Sequence, residues 1–114
     1  LVVDDEPGIR SALERWFRVK GFQVDSAHDG AVAVEMCREN AYDIITMDLE
    51  MPRMGGLAAM AAIREFAPDL PIVVLTGYSK NEEAAWSVGA NEVLIKPLRL
   101  PELEAHVRRV LEAC

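Results

Sequence analysis

The sequence predicts an α/β fold: one domain built on a five-stranded parallel sheet with helices on both faces. Two observations carry this expectation. Strand-type apolar runs alternate with helical periodicity five times along the 114 residues, with no linker, repeat or low-complexity segment between them. Four of the five runs are almost continuously apolar, the pattern of strands covered on both faces.

Leu1-Val2-Val3 is the first strand. Asp4-Asp5-Glu6 follows, and Pro7 suits the first turn of a helix, where its missing N–H costs nothing. Ile9, Leu13, Trp16 and Phe17 recur at helical spacing and mark one face. Gly21 stands where a left-handed residue closes a helix. Phe22-Gln23-Val24-Asp25-Ser26 alternates apolar and polar, which suits an edge strand with one wet face. Asp29-Gly30 reads as a turn, and a second helix runs from Ala31 to Glu39 with Val32, Met36 and Cys37 inward.

The third strand, Asp43-Ile44-Ile45-Thr46-Met47-Asp48, leads through Leu49-Glu50 to a turn at Met51-Pro52 and a loop through Gly55-Gly56. Leu57, Met60, Ala61 and Ile63 then line an Ala-rich helix, and Ala67-Pro68-Asp69-Leu70-Pro71 breaks it. Ile72 to Leu75 is the most hydrophobic run and belongs near the sheet centre. A loop at Gly77-Tyr78-Ser79 and a short helix over Asn81–Val88, closed by Gly89, lead to the last strand, Val93–Ile95. The final helix starts at Pro101. Leu103, Val107, Val110 and Leu111 form its inner stripe, with Arg108 and Arg109 outside, near the negative end of its dipole.

Composition narrows the function. The chain is 51% hydrophobic and 27% charged, as globular domains are, with 19 acids against 12 Lys and Arg for a net charge of −7. That balance argues against direct binding to nucleic acid or anionic lipid. No apolar run approaches the length of a membrane span. Cys37 and Cys114 show neither metal-ligand spacing nor a disulfide framework, as expected of unpaired thiols in a reducing cytoplasm. The chain opens inside a strand, without Met or leader, as a trimmed piece would.

Each apolar run but the second stops at a polar residue: Asp4-Asp5, Asp48, Thr76 and Lys96. In an open parallel sheet such residues meet outside the carboxyl ends of the strands. Three carboxylates drawn together repel one another and call for a cation. Mg²⁺ suits an all-oxygen set of few carboxylates, and the lack of His or Cys argues against zinc. With that cation bound, one carboxylate could accept a phosphoryl group, while Lys96 and Thr76 offer a point charge and a hydroxyl to its oxygens.

Val3-Asp4-Asp5-Glu6-Pro7, Met47-Asp48-Leu49-Glu50-Met51-Pro52, Leu75-Thr76-Gly77, and Gly89-Ala90 followed by Leu94-Ile95-Lys96-Pro97 together give the chain its resemblance to a known family. In this order and spacing the chain resembles, end to end, a response-regulator receiver domain of two-component signalling, in the CheY-like superfamily. The resemblance implies a flavodoxin-like (βα)5 sheet in the order 2-1-3-4-5, and residues 1–114 as one receiver domain, slightly truncated at its first strand, with no output domain present. It implies that Asp48 takes phosphate from the phosphohistidine of a sensor histidine kinase or histidine phosphotransfer protein. It further implies that Asp4, Asp5, Asp48 and the Glu50 backbone carbonyl hold Mg²⁺, that Thr76 and Lys96 contact the phosphoryl group, and that the Lys96–Pro97 bond is cis. Such a domain is a cytoplasmic switch rather than an enzyme. It catalyses only its own phosphorylation and dephosphorylation, acts on an output domain or downstream protein, and often forms homodimers through its fourth and fifth helices.

The chain departs from the family at three positions. Val93 replaces a frequent aromatic residue, Gly55 a frequent Asp or Asn cap, and Leu100 a frequent capping Ser. Val93 leaves open a degenerate receiver that works as a phosphorylation-independent interaction module. A phosphatase of the haloacid dehalogenase type would place an Asp where Glu50 stands, together with a capping insertion that is absent. A flavin-binding flavodoxin would need a phosphate-cradling loop where the acidic Asp4-Asp5 lies. Glu50 and Tyr78 flank the expected phosphoryl position. Trp86 is read as helix packing, and His28 and His106 as surface residues.

Overall fold

The computed structural model describes residues 1–51 and 54–113. The expected turn residue Pro52 and the thiol of Cys114 lie outside the described residues. In chain order the elements are β1 (Val2–Val3), α1 (Pro7–Val19), β2 (Ser26–Ala27), α2 (Gly30–Glu39), β3 (Ile45–Asp48), α3 (Gly56–Phe66), β4 (Ile72–Thr76), α4 (Glu82–Ser87), β5 (Glu92–Ile95) and α5 (Leu100–Ala113). A short 3₁₀ turn over Ser79–Asn81 leads into α4. All five strands are parallel, in the order β2-β1-β3-β4-β5. The flavodoxin-like arrangement is therefore the one found.

The continuous apolar runs have a direct cause. Along β4, Ile72 and Val74 pack with Met47, Met60 and Ile63 under α2 and α3. The intervening Val73 and Leu75 pack with Leu13, Phe17, Leu103 and Val107 under α1 and α5. With both faces buried, β4 carries no polar residue until Thr76 at the rim. Each fully buried Ile, Leu or Val contributes about 1.5–3 kcal/mol, so the two cores fix the strands firmly beneath their polar ends.

Helix ends follow local chemistry. Gly21 closes α1 at φ 97°, a conformation that L side chains rarely adopt. Asp29 is a cap rather than part of a free turn: its Oδ1 accepts the Val32 N–H at 2.8 Å, so α2 begins at Gly30. Gly56 opens α3 directly against the end of β3, where an added Cβ would lie 2.6 Å from the Asp48 carbonyl oxygen and 2.8 Å from Leu49 Cα. Only a residue without Cβ lets α3 start this close to the site.

Several side chains fall elsewhere than the periodicity implies. Ile9 is 47% exposed, and in α1 only Leu13 and Phe17 are buried. Within α2, Ala33 and Cys37 are buried, and Val32 and Met36 only flank the core. In α3, Ala59 takes the inward position and Ala61 is exposed. The edge strand pairs only at Ser26–Ala27, later and shorter than Phe22–Ser26. Trp86 is 49% exposed on α4 rather than packed.

Arg64 joins three segments. Its guanidinium donates to the carbonyls of Ala67 (3.1 Å), Leu70 (2.6 Å) and Gly89 (2.6 Å), and to Asn91 Oδ1 (3.2 Å). Asn91 in turn accepts the Ile72 N–H at 2.9 Å. One side chain thus satisfies the loops that feed β4 and β5. Arg64→Ala is expected to lower unfolding free energy by about 1–3 kcal/mol, because it leaves partly buried carbonyls unpaired. Urea denaturation checks this; a midpoint equal to wild type would contradict the assigned role.

Candidate functional site

Parallel register builds the site. Val3 pairs with Met47, Asp48 with Leu75, and Thr76 with Ile95. The next residues along β1 and β5, Asp4 and Lys96, therefore reach the same rim as Asp48 and Thr76. Carboxylate oxygens of Asp4, Asp5 and Asp48 all lie within 4.8 Å of one another. Asp4 and Asp48 are each 2% exposed and Thr76 is fully buried, while Asp5 is half-buried.

Two hydrogen-bonded groups make up the rim. In the first, Asp48 Oδ1 accepts both the Lys96 ammonium at 2.9 Å and the Glu50 N–H at 3.1 Å. Asp4 Oδ1 accepts the Glu6 N–H at 2.9 Å, and Arg10 donates to the Asp4 carbonyl at 2.9 Å. In the second group, the Thr76 hydroxyl donates to Glu50 Oε2 at 2.7 Å and the Gly77 N–H to Glu50 Oε1 at 2.6 Å. Lys96 Nζ stands 3.8 Å from Glu50 Oε1 and so touches both groups. The Lys96–Pro97 peptide bond is cis. Tyr78 is 56% exposed and flanks the rim, with the Lys80 ammonium 5.5 Å from its ring centre.

Electrostatics follow from burial. Desolvation raises the Asp48 carboxyl above the ordinary carboxylate range, against the opposing pull of the Lys96 hydrogen bond and charge. Asp4 is raised by burial too, opposed by the Glu6 N–H and reinforced by the Asp48 charge. For Lys96, burial works to lower the value, but the Asp48 hydrogen bond and charge outweigh it and the net direction is upward. Four carboxylates (Asp4, Asp5, Asp48 and Glu50) thus face one ammonium. A hard divalent cation fits this donor set, which offers oxygen only. The Glu50 carbonyl accepts no hydrogen bond among the described residues, leaving it open to a cation.

All the residues expected at one site converge there: Asp4, Asp5, Asp48, Glu50, Thr76 and Lys96. The Glu50 side chain flanks the expected phosphoryl position as its place in the sequence implies; its hydrogen bonds to Thr76 and Gly77 are what the sequence does not reveal. A broad cavity of about 1250 Å³ opens at the opposite, amino-end rim, lined in part by Leu1, Phe22, Ile44 and Phe66. It contains none of the expected site residues. His106 is half-buried beside Glu92 rather than free on the surface.

The sequence matches the family model described as "Response regulator receiver domain" over residues 1–108. It is 39% identical over 113 residues to the transcriptional regulatory protein PrrA of Mycobacterium tuberculosis, covering 97% of this chain and 48% of that protein. It is 40% identical over 113 residues to the response regulator MprA of Mycobacterium ulcerans, covering 97% and 49%. Among solved structures, the response regulator TrrA of Thermotoga maritima in complex with Mg²⁺-BeF superposes with a TM-score of 0.87 at 33% identity, covering 96% of this chain and 95% of that one. The chain belongs to the response regulator receiver domain family of two-component systems. It spans about half the length of the curated relatives it matches. No helix among the described residues is long and apolar enough to cross a membrane.

The raised Asp48 carboxyl has a consequence for stability. Ionising it in the folded protein costs free energy. That cost is fully present above its raised value and disappears as pH falls to the value of the unfolded chain. Without divalent ions, Asp48→Asn is expected to melt a few degrees above wild type at pH 7, with the gap closing toward about pH 4. Thermal melts in chelator check this. A variant that melts lower, or a gap independent of pH, would contradict it.

Proposed function

We propose that this chain is a phosphoacceptor switch and that Asp48 is the acceptor. The observation that carries the reading is the position of Asp48: buried at a strand end, bound by Lys96 at 2.9 Å and crowded by two further acids. No ordinary turn carboxylate needs such a setting.

A carboxylate oxygen of Asp48 attacks the phosphorus of a phosphohistidine on a sensor histidine kinase or phosphotransfer protein. The new P–O bond forms as the P–N bond breaks. The leaving imidazole keeps the bonding pair and takes up a proton. Asp4, Asp5, Asp48 and the Glu50 carbonyl would hold Mg²⁺, which supplies charge neutralisation to the phosphoryl oxygens when bound. Lys96 shifts its ammonium from Asp48 Oδ1 to a phosphoryl oxygen, and Thr76 turns its hydroxyl toward the same group. The product adds about −1.5 to −2 charges to an already acidic rim. That charge redirects Lys96 and the Thr76 hydroxyl and biases the surface they support.

Likeness to a transcriptional regulatory protein supports control of transcription as the output of the whole protein, through a further domain, a partner or a homodimer. A cytoplasmic setting accords with this role. A phosphatase reading is disfavoured by Glu50, whose carboxylate is engaged by Thr76 and Gly77 and so is not free to serve as acid or base.

Acetyl phosphate with Mg²⁺ is expected to add one phosphoryl group to the wild-type mass and none to Asp48→Asn. Lys96→Met is expected to slow the reaction roughly a hundredfold. Labelling of Asp48→Asn at the wild-type rate would overturn the assignment.

A further inference from the structure

We infer that the Glu50 carboxylate is an internal stand-in for the phosphoryl group, holding the Thr76–Gly77 loop in the resting protein until phosphorylation displaces it. The inference rests on the reading of Asp48 as acceptor. Two donors bond this one side chain, the Thr76 hydroxyl at 2.7 Å and the Gly77 N–H at 2.6 Å, and the Lys96 ammonium stands 3.8 Å away as a nearby charge. A hydroxyl, a backbone amide and an ammonium are the donors that recognise a phosphoryl oxyanion. Here an anion supplied by the chain takes the hydroxyl and the amide, with the ammonium, bonded to Asp48, standing close by.

The placement is specific. The Glu50 N–H is fixed on Asp48 Oδ1, so the side chain springs from a backbone tied to the acceptor itself. From there it reaches across from the end of β3 to the end of β4. Thr76 is fully buried, and its other possible acceptor, the Tyr78 carbonyl, lies at 3.4 Å, so the Glu50 oxygen takes the hydroxyl proton. Tyr78 N–H and Asn81 Nδ2 approach Thr76 Oγ1 at 3.2 and 3.3 Å and orient the hydroxyl toward Glu50. The Glu50 side chain keeps 29% of its surface exposed, which leaves it a way out into solvent when a phosphoryl group competes for the donors.

Two consequences follow. First, Glu50 lowers the affinity of the rim for any phosphoryl-like anion, since the anion must displace a carboxylate from its donors and sit beside its charge. Second, the Thr76–Gly77 loop is already drawn toward the rim at rest. Phosphorylation therefore exchanges one anion for another at this loop, and the moving group is the Glu50 side chain. Glu50 is in this sense a positioning residue, acting through Thr76 and Gly77.

The experiment compares wild type with Glu50→Gln and Glu50→Ala by amide NMR, first without Mg²⁺ and then titrated with beryllofluoride plus Mg²⁺. In the metal-free protein the Gly77 amide proton is expected to lie far downfield in wild type and to move strongly upfield in Glu50→Ala, with Glu50→Gln between them. Beryllofluoride is expected to bind both variants about tenfold more tightly than wild type, as release of charge-assisted bonds implies. An unchanged Gly77 resonance in Glu50→Ala, or equal or weaker beryllofluoride binding by both variants, would overturn the inference. Failure of wild type to bind beryllofluoride at all would instead strike the Asp48 reading. The metal-free Gly77 comparison tests the Glu50 contact separately.

Discussion

Two carboxylates buried at the rim of a parallel sheet, with one ammonium between them and the rest, are the constraint on which this structure depends. Asp4 and Asp48 are almost wholly withdrawn from water, and each is pushed toward its neutral form by that burial. Such groups persist only when the surroundings over-determine them. Here the surroundings are two apolar cores, one on each face, that leave β1, β3, β4 and β5 no freedom to slide. Because the side-chain period of a strand is two, a slip of one residue would invert both cores. The register that places Asp4, Asp48, Thr76 and Lys96 together is therefore enforced by residues that do no chemistry.

The rim is also an unbalanced charge set. Lys96 lies within 2.9 Å of Asp48 and 3.8 Å of Glu50, so a single ammonium is shared between the acceptor and the carboxylate that binds the Thr76 loop. Any new charge at Asp48 must redistribute these contacts. That sharing connects a local chemical event to the segment from Thr76 to Asn81, where Tyr78 is exposed, and through it to α4, where Trp86 presents aromatic surface to solvent. The rigid frame and the adjustable rim are thus complementary. The frame holds the donors in place, and the rim decides which anion receives them.

Much of this was legible in the sequence, for physical reasons. Continuous apolar runs ending in Asp, Thr or Lys define buried strands and a polar rim, and Gly21 and Gly89 close their helices at positive φ as their positions implied. The errors are equally physical. Ile9 shares the helical spacing of Leu13 and Phe17 yet is exposed, as is Trp86, since periodicity carries no information about how far the core extends under a helix. Ala33 and Ala59 carry no signal in the pattern, because small side chains look neutral, although close helix–sheet contact selects them for the innermost positions. Phe22 to Val24 alternates like a strand but pairs with nothing there, since β1 offers only Val2 and Val3. Arg64 gains its meaning from partners 25 to 27 residues away, beyond any local pattern, and so do the contacts of Glu50 with Thr76 and Gly77.

The central claim is that Asp4, Asp5 and Asp48 act as one site. Calorimetric titration with Mg²⁺, with amide NMR to locate the ion, tests this most directly. One saturable site is expected, with shifts concentrated around residues 4–6, 48–51 and 96, and affinity reduced about tenfold or more in Asp4→Asn and in Asp48→Asn. Absence of saturable binding, or binding that survives both substitutions undiminished, would contradict it.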